Sequence, residues 1–446
     1  MHRSRRQVRR QRQQNNRNFK KWGFIFFSIF IVLVLLVIAA IKIESSPSEP
    51  KADQLIEQTY PNLKKTMTST SDEPTTYFSP ENEVIKNAVA KIISQHQEAD
   101  TVYYLTSKDN RNISVNTIYS VSKNSQNLTT DSKIVAQFNS TKDNTKILKL
   151  SDLIQDDEKS QAAFRLALTK HIFESNTITS EQFISLKDQI QSLPLNISDF
   201  SLNQSQLELR LPNNIASITT ISIDIGMINY LLNPNYQILV KQPVQTQKKV
   251  IALTFDDGPR AGSTDSILNT LNQFDVKATF FMLGQNAQHY PSLVNKVKEN
   301  GHAIGSHSFN HPMLTKLTTD DLNKQVSQTD QAIYEAAHIY PTLFRPPYGA
   351  RNQTVDQAIF KPLIEWNIDS EDWKKPSVST LLKTIQQNVR SGSILLMHDI
   401  HQTTADALPT IINYLKNAGY EFVTIDQLYQ HKLYPMTNYY SQHDTR

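Results

Sequence analysis

The spacing of hydrophobic positions changes character several times along the chain. Trp22–Ile41 runs twenty residues without a charge. A helix of that length spans ~30 Å, the thickness of a bilayer's hydrocarbon core, so the run predicts a membrane-spanning helix. The competing reading is a cleaved signal peptide, whose apolar region is usually ~7–15 residues. The length of the run and the poor cleavage site at Ile38-Ala39-Ala40 favour a retained anchor. Residues 42–80 are rich in Ser, Thr, Pro and charge, with a short apolar patch at Leu55-Ile56, and read as an extended tether. Val84, Ile85, Ala88, Val89, Ile92 and Ile93 then recur at helical spacing and open a new unit over residues 81–245. Strand-like runs follow at Thr101–Leu105, Asn116–Ser122, Ile134–Phe138, Gln206–Leu211 and Ile218–Ile225, around a helix at Gln161–Phe173. This is an α+β pattern. It contains no His spacing or Gly-rich loop, so spacing or binding is its expected role.

From residue 246 to 446 the pattern becomes alternating strand and helix. Apolar runs recur at Val250–Phe255, Ala278–Leu283, Ala303–Ile304, Thr342–Phe344, Leu363–Ile368, Ile394–Met397 and Phe422–Ile425. Helical patterns such as Ile267/Leu268/Leu271 and Leu322/Val326/Ile333 separate most of them, and Gly301, Gly392 and Gly419 are placed as helix C-caps. Repeated β–α units predict a parallel barrel or an open parallel sheet, with chemistry at the C-terminal strand ends. Those ends carry Asp256-Asp257, His307, Arg345, Asp369–Asp372 and His398.

Charge sharpens the division. The first 21 residues hold nine Lys/Arg and no acid, which leaves 37 basic and 42 acidic residues elsewhere. The formal charge of +4 is therefore a local basic tail, not a nucleic-acid surface. Basic residues before the apolar run and Glu44 after it favour a cytoplasmic N-terminus with the bulk of the chain outside. The absence of cysteine excludes disulfides and thiolate metal sites.

The candidate chemistry starts at Thr254–Pro259, TFDDGP, where a buried strand ends in a turn. Two adjacent carboxylates in one cavity are costly unless a cation lies beside them, so Asp256 and Asp257 imply a metal, a proton role or both. A simple Asp-Asp-Gly-Pro turn is the alternative. His307 and His311 stand four apart in HSFNH; on one helical turn or a tight helical loop both imidazoles face one side. With Asp257 they form a two-histidine, one-carboxylate set with open positions, the pattern of a catalytic metal site. Asp256 is then free to act as base on the attacking water.

TFDDGP, HSFNH, RPPYG (345–349), DSEDW (369–373) and LLMHD (395–399), in this order, resemble the five motifs of the NodB-homology polysaccharide deacetylases, carbohydrate esterase family 4. The match covers roughly residues 248–430 and departs at no motif position. With its apolar anchor, the arrangement is similar to streptococcal-type peptidoglycan N-acetylglucosamine deacetylases. The resemblance implies an α/β protein whose catalytic domain is a distorted (β/α) barrel, preceded by a transmembrane helix, a tether and a smaller α+β domain. It implies Asp256 as general base and Asp257, His307 and His311 as ligands of a divalent metal, most commonly Zn²⁺, with Co²⁺, Mn²⁺ or Ni²⁺ as alternatives. Arg345 is expected to brace Asp256, the Tyr348 N–H to bind the oxyanion, and His398, oriented by Asp372, to be the general acid. Trp373 and Leu395 are expected to line the pocket for the acetyl methyl. The implied partners are peptidoglycan glycan strands, and the membrane through Trp22–Ile41. Other glycans (chitooligosaccharide, muramic acid residues, a surface polysaccharide, acetyl xylan) keep the same chemistry, and a non-catalytic wall-binding protein is the rival of another class.

Overall fold

The computed structural model describes residues 51–68, 74–110, 112–202, 205–215, 218–238 and 248–446. The basic tail (1–21), the expected membrane helix (22–41) and the boundary expected near 245 lie outside them. Among the described residues no helix is long and apolar enough to cross a membrane. Cα proximity divides the described residues into two compact units, one of those up to residue 106 with residues 118–135, the other of those in 107–117 and 136–446.

In the first unit the expected tether is corrected over its described residues. Ala52–Thr59 is a helix, and Lys64–Met67 pairs antiparallel with Thr76–Ser79. The apolar patch is the reason: Ile56 and Ala52 are fully buried against Phe78, Val102 and Tyr104. Glu83–Ser94 forms the expected helix, begun by the Asn82 side chain accepting from the Ile85 N–H at 3.0 Å.

In the second unit, helices Glu158–Ser175 and Ser180–Gln191 and an antiparallel sheet of Phe200–Leu202, Gln206–Ile215 and Ile218–Asp224 pack beside the C-terminal barrel. Phe173 and Phe183 meet Tyr334 and Tyr340 in one aromatic cluster, and the Tyr334 hydroxyl donates to the Asn176 carbonyl at 2.9 Å. A buried ion pair anchors the same region: Lys361 Nζ lies 2.5 Å from Asp330 Oδ1, both side chains almost fully enclosed. Lys361→Met leaves an uncompensated buried carboxylate, and is expected to cost about 3–5 kcal/mol in urea unfolding. Adding Asp330→Leu is expected to recover most of that loss, since both charges are then gone.

The barrel is built on strand β1 (Lys249–Asp256), which pairs in parallel with β2 (Thr279–Met282), and β2 with β3 (Ala303–Ser306). On its other side β1 pairs in parallel with β6 (Ser393–His398), with Asp256 opposite His398. Between β3 and β6 the wall is irregular. Thr342–Phe344, expected as a strand, is reduced to bridges from Phe344 to Ser306 and Leu363, because Pro341 and Pro346-Pro347 hem it in. The expected strand Leu363–Ile368 is split into β4 (Leu363–Ile364) and β5 (Ile368–Asp369). At its N-terminal end β1 pairs in parallel, through Lys249–Ile251, with β7 (Tyr420–Phe422), after which Ile425 opens a short helix instead of prolonging the expected strand. Strand β8 (Asn438–Ser441) runs parallel to β4 and meets β6 at the single pair Ser393/Ser441, which closes a distorted barrel. Helices α1 (Ser263–Gln273), α2 (Pro291–Glu299), α3 (Thr319–Ala337), α4 (Gln353–Ile359), α5 (Val378–Asn388) and α6 (Gln402–Asn417) follow the strands. Gly301 and Gly419 follow helix ends with positive φ, as expected. Gly392 instead sits in a turn three residues past the Val389 cap of α5.

The period-2 pleat decides which side chains reach the interior. Along β1, Ile251, Leu253 and Phe255 pack outward against α1 and α6. Ala252, Thr254 and Asp256 therefore point inward, and Asp256 is the last of them, at the C-terminal rim.

Candidate functional site

Asp256 and Asp257 escape strict alternation because Asp257 leaves the strand with φ 72°. Gly258 lies under the turn so tightly that a Cβ there would sit 2.0 Å from Asp399 Oδ2, so only glycine fits. HSFNH is not a helical turn, contrary to expectation. It is a loop after β3 in which Ser308 and His311 both take positive φ (67° and 63°), folding the second imidazole back toward the first. The ring centroids are 5.0 Å apart.

Asp257 Oδ1 lies 3.6 Å from both His307 Nε2 and His311 Nε2. One ligand atom from each residue falls within 4.8 Å of the others. Asp257 Oδ1 is buried with no hydrogen-bond partner, which a cation would supply. His307 Nδ1 is 2.7 Å from the Arg345 carbonyl, so Nδ1 carries the proton and Nε2 presents its lone pair. Burial lowers the His307 pKa to about 3, outweighing the opposing charge of Asp257, and keeps the ring neutral. A carboxylate oxygen and two imidazole nitrogens at these separations fit a divalent metal.

Asp256 stands beside this triad, Oδ2 3.7 Å from His307 Nε2. Arg345, fully buried, donates from Nη1 to Asp256 Oδ1 and to Thr254 Oγ1, both at 2.8 Å. Its other nitrogens donate to the carbonyls of Ile364 and Glu365, and Phe281 packs 4.3 Å from the guanidinium. The fork is therefore fixed from every side. Burial drives the Asp256 carboxyl upward and the guanidinium pulls it back, with burial the larger.

Across the rim, His398 Nδ1 is 2.7 Å from Asp372 Oδ1. Asp372 Oδ2 also accepts from the His398 N–H at 2.7 Å and from Thr404 Oγ1 at 2.6 Å. Burial would raise the Asp372 carboxyl, but these donors outweigh it and hold it below the ordinary value. Burial likewise favours neutral His398, yet the Asp372 hydrogen bond and charge, with Asp256 and Asp257 behind, lift it to about 9. The ring is thus a protonated donor near neutral pH, with Nε2 free to point into the cleft.

Tyr348 takes φ 61° after Pro346-Pro347, with its ring 62% exposed and edge-on to His311 at 4.4 Å. Trp373 is half-exposed at the rim, Lys374 above its ring. Leu395 is corrected: it is fully buried on the outer face of the barrel, among Leu253 and Phe255 of β1 and Ile411 of α6. By pleat parity Leu396, two residues before His398, shares the face of His398.

Two buried acids close to the site were not anticipated. Asp399 is pushed to about 7 by burial, with Asp257 and Asp256 adding and the Thr264 hydroxyl opposing. Glu365 is also raised to about 7 by burial against the pull of Arg345 and Arg351. Glu365 carries a sequence signal, an acid inside the apolar run PLIEW; Asp399 only adjoins a histidine.

Residues 244–361 match the family model described as "Polysaccharide deacetylase". The chain is similar to the "Peptidoglycan-N-acetylglucosamine deacetylase PgdA" of Listeria monocytogenes, 35% identical over 307 residues, 67% of this chain and 66% of that one. It is 38% identical over 188 residues to the "Peptidoglycan-N-acetylmuramic acid deacetylase PdaC" of Bacillus subtilis, 42% of this chain and 40% of the relative. A "Peptidoglycan-N-acetylglucosamine deacetylase" of Bacillus cereus is 38% identical over 192 residues, 41% of this chain and 69% of the relative. The chain thus spans just under two thirds of the Listeria relative and less than half of the B. subtilis one. From these matches, and from the convergence of the five motifs on one barrel rim, the chain belongs to the polysaccharide deacetylase family.

Proposed function

We propose that the protein hydrolyses the N-acetyl group of N-acetylglucosamine residues in peptidoglycan, releasing acetate and leaving a free amine. The observation that carries this reading is the flanking of the Asp257–His307–His311 triad by Asp256–Arg345 on one side and Asp372–His398 on the other. A base, an acid and a cation site within one cleft are what amide hydrolysis needs.

Asp257, His307 and His311 would hold a divalent ion, which would supply Lewis acidity toward the acyl carbonyl and the attacking water. Zinc suits two imidazoles and a carboxylate best, with Co²⁺, Mn²⁺ and Ni²⁺ as alternatives. Asp256 takes a proton from water as its oxygen bonds to the acyl carbon, and Arg345 holds the carboxylate in place. The Tyr348 N–H donates to the oxyanion that forms. His398, braced by Asp372, gives a proton to the sugar nitrogen as the C–N bond breaks. Acetate leaves, and Leu396 and Trp373 offer apolar surface for its methyl. The new amine is cationic near neutral pH, which would blunt lysozyme-type hydrolases that read the N-acetyl group.

Anchoring through Trp22–Ile41, with the catalytic region outside the cell, would give access to such strands. A second reading, muramic acid residues, is favoured by the name of the B. subtilis relative. Acetate release separates the two. The proposal expects release from intact wall strands, and loss of release after their glucosamine acetyls have been removed chemically. Continued release from the stripped strands selects muramic acid. Metal analysis of the purified protein is expected to find an equimolar divalent ion, and a metal-free active enzyme would sink the scheme.

A further inference from the structure

Each ligand of the triad is held in a different way. Asn286 Nδ2 donates to the Asp257 carbonyl at 2.6 Å and fixes the turn that carries the carboxylate. His307 is fixed through its own ring, by Nδ1 on the Arg345 carbonyl. The His311 ring has no such tie. Its Nδ1 makes no hydrogen bond among the described residues, and the Tyr348 ring that meets it edge-on is mostly exposed. The aim of His311 Nε2 toward Asp257 and His307 therefore depends on the backbone beneath it.

That backbone is an unfavourable one. Ser308 and His311 both stand at positive φ, where a Cβ crowds the chain, so local preference alone does not hold the loop in shape. The segment after β2 supports it from one side, the Gly284 N–H donating to the Ser308 carbonyl and the Gln285 N–H to that of Phe309, both at 3.0 Å. The His311 N–H donates to Ser308 Oγ at 3.1 Å. The N–H groups of Phe309 and Asn310, midway between the two ligands, both donate to one side chain. This is Gln325, on the second turn of α3, whose Oε1 accepts from Phe309 at 2.8 Å and from Asn310 at 3.2 Å. Its Nε2 donates in turn to Asn310 Oδ1 at 2.9 Å. Behind the amide, Thr329 Oγ1 donates to the Gln325 carbonyl at 2.7 Å. Phe309 and Thr329 also close on Gly284, where a Cβ would come within 2.5 Å of the Phe309 ring and 2.8 Å of Thr329 Oγ1. The loop is thus pressed against α3 with little room to slide.

We propose that Gln325 is a positioning residue: it clasps the HSFNH loop by its two central N–H groups and thereby aims His311 at the metal position. The proposal rests on the reading of Asp257, His307 and His311 as a metal site, and it extends that reading to a residue outside the five motifs. Gln325 acts on the ion only through the loop, so its removal loosens one ligand of three and leaves the other two in place.

The test compares the full-length protein with Gln325→Met, which keeps the unbranched stem and the helix propensity but offers the two N–H groups no comparable acceptor. The Kd for Zn²⁺, read by competition with a chromophoric chelator, is expected to rise by about 10–100-fold, the range that partners of metal ligands carry. The visible absorption of the Co²⁺-loaded protein is expected to shift, because the ligand set around the ion changes. The melting point of the metal-free protein should hardly move, since the three hydrogen bonds lie at a partly exposed surface. Gln325→Glu is expected to restore both the affinity and the spectrum: one carboxylate oxygen accepts from both N–H groups, and the exposed Asn310 turns its amide to donate to the other. A lowered melting point with an unmoved Co²⁺ spectrum and Zn²⁺ affinity in Gln325→Met would make Gln325 merely structural and overturn the clasp, as would a glutamate variant no better than the methionine one. In both cases the metal reading stands, because the unaltered protein still binds the ion. Should the unaltered protein take up neither Zn²⁺ nor Co²⁺, the metal reading fails and the clasp with it. Should the loaded protein release no acetate from any glycan, the substrate reading fails, and the Zn²⁺ affinities still decide the clasp. Gln325→Ala replaces Gln325→Met if circular dichroism shows the latter misfolded.

Discussion

Asp256→Asn is expected to lower kcat for acetate release by about 10²–10⁴-fold, the range general base catalysis supplies, while the divalent ion stays bound. Asparagine keeps the shape and the Oδ1 acceptor that Arg345 Nη1 addresses at 2.8 Å, so the guanidinium stays satisfied. The Asp257–His307–His311 set does not include Asp256, so metal content should not change. What disappears is the oxygen able to take a proton. Because an amide cannot regain that basicity, no pH should restore the rate. Metal content and kcat measured on the same preparation check this, and full activity in the variant would falsify the assignment of Asp256 as base.

The site was legible in the sequence because its side chains sit at strand ends, where period-2 alternation and a following loop identify them. TFDDGP closes β1, HSFNH follows β3 and LLMHD closes β6. What could not be read is conformation at single residues. Four-residue spacing in HSFNH suggested helix, yet positive φ at Ser308 and His311 brings the imidazoles together without one. A serine and a histidine at such angles leave no compositional trace, unlike a glycine. Leu395 was misplaced for a different reason. Its resemblance-based role overrode the pleat, which puts Leu396 on the His398 face.

Buried charges mark a further limit. Asp330 and Lys361 are thirty-one residues apart and meet only in the fold. Nothing local distinguishes either from a surface residue. Leu55-Ile56 failed by the opposite route: two apolar residues in a polar stretch are too few to fix a period, and their burial depends on Phe78 and Tyr104 from later strands. Tyr439 lies inward on β8 against Tyr429, with its hydroxyl accepting from the Tyr434 N–H at 2.8 Å.

Removing the partner of His398 is expected to move the alkaline side of the pH profile. His398 must be protonated to serve as acid, so activity falls as pH rises through its pKa. In the structure that value is lifted from 6.5 to about 9: burial opposes the lift, and the Asp372 hydrogen bond and charge, with Asp256 and Asp257, overcome it. A dication on Asp257 cancels much of the contribution of the two rim aspartates, so with metal bound the surviving lift comes chiefly from Asp372. Asp372→Asn removes it, and the alkaline limb of kcat/KM should shift toward pH 6.5. The rate at neutral pH should fall by about 10²–10³-fold, since less of the imidazole is protonated and its ring is no longer oriented. His398→Ala should lose the alkaline limb altogether, with a drop of similar or larger size. The linkage sign agrees: His398's raised pKa stabilises the fold below pH 6.5, and that contribution fades as pH climbs toward 9, so Asp372→Asn should also flatten the loss of stability across this window. An unshifted limb together with an unchanged stability profile would place the essential acid elsewhere than His398.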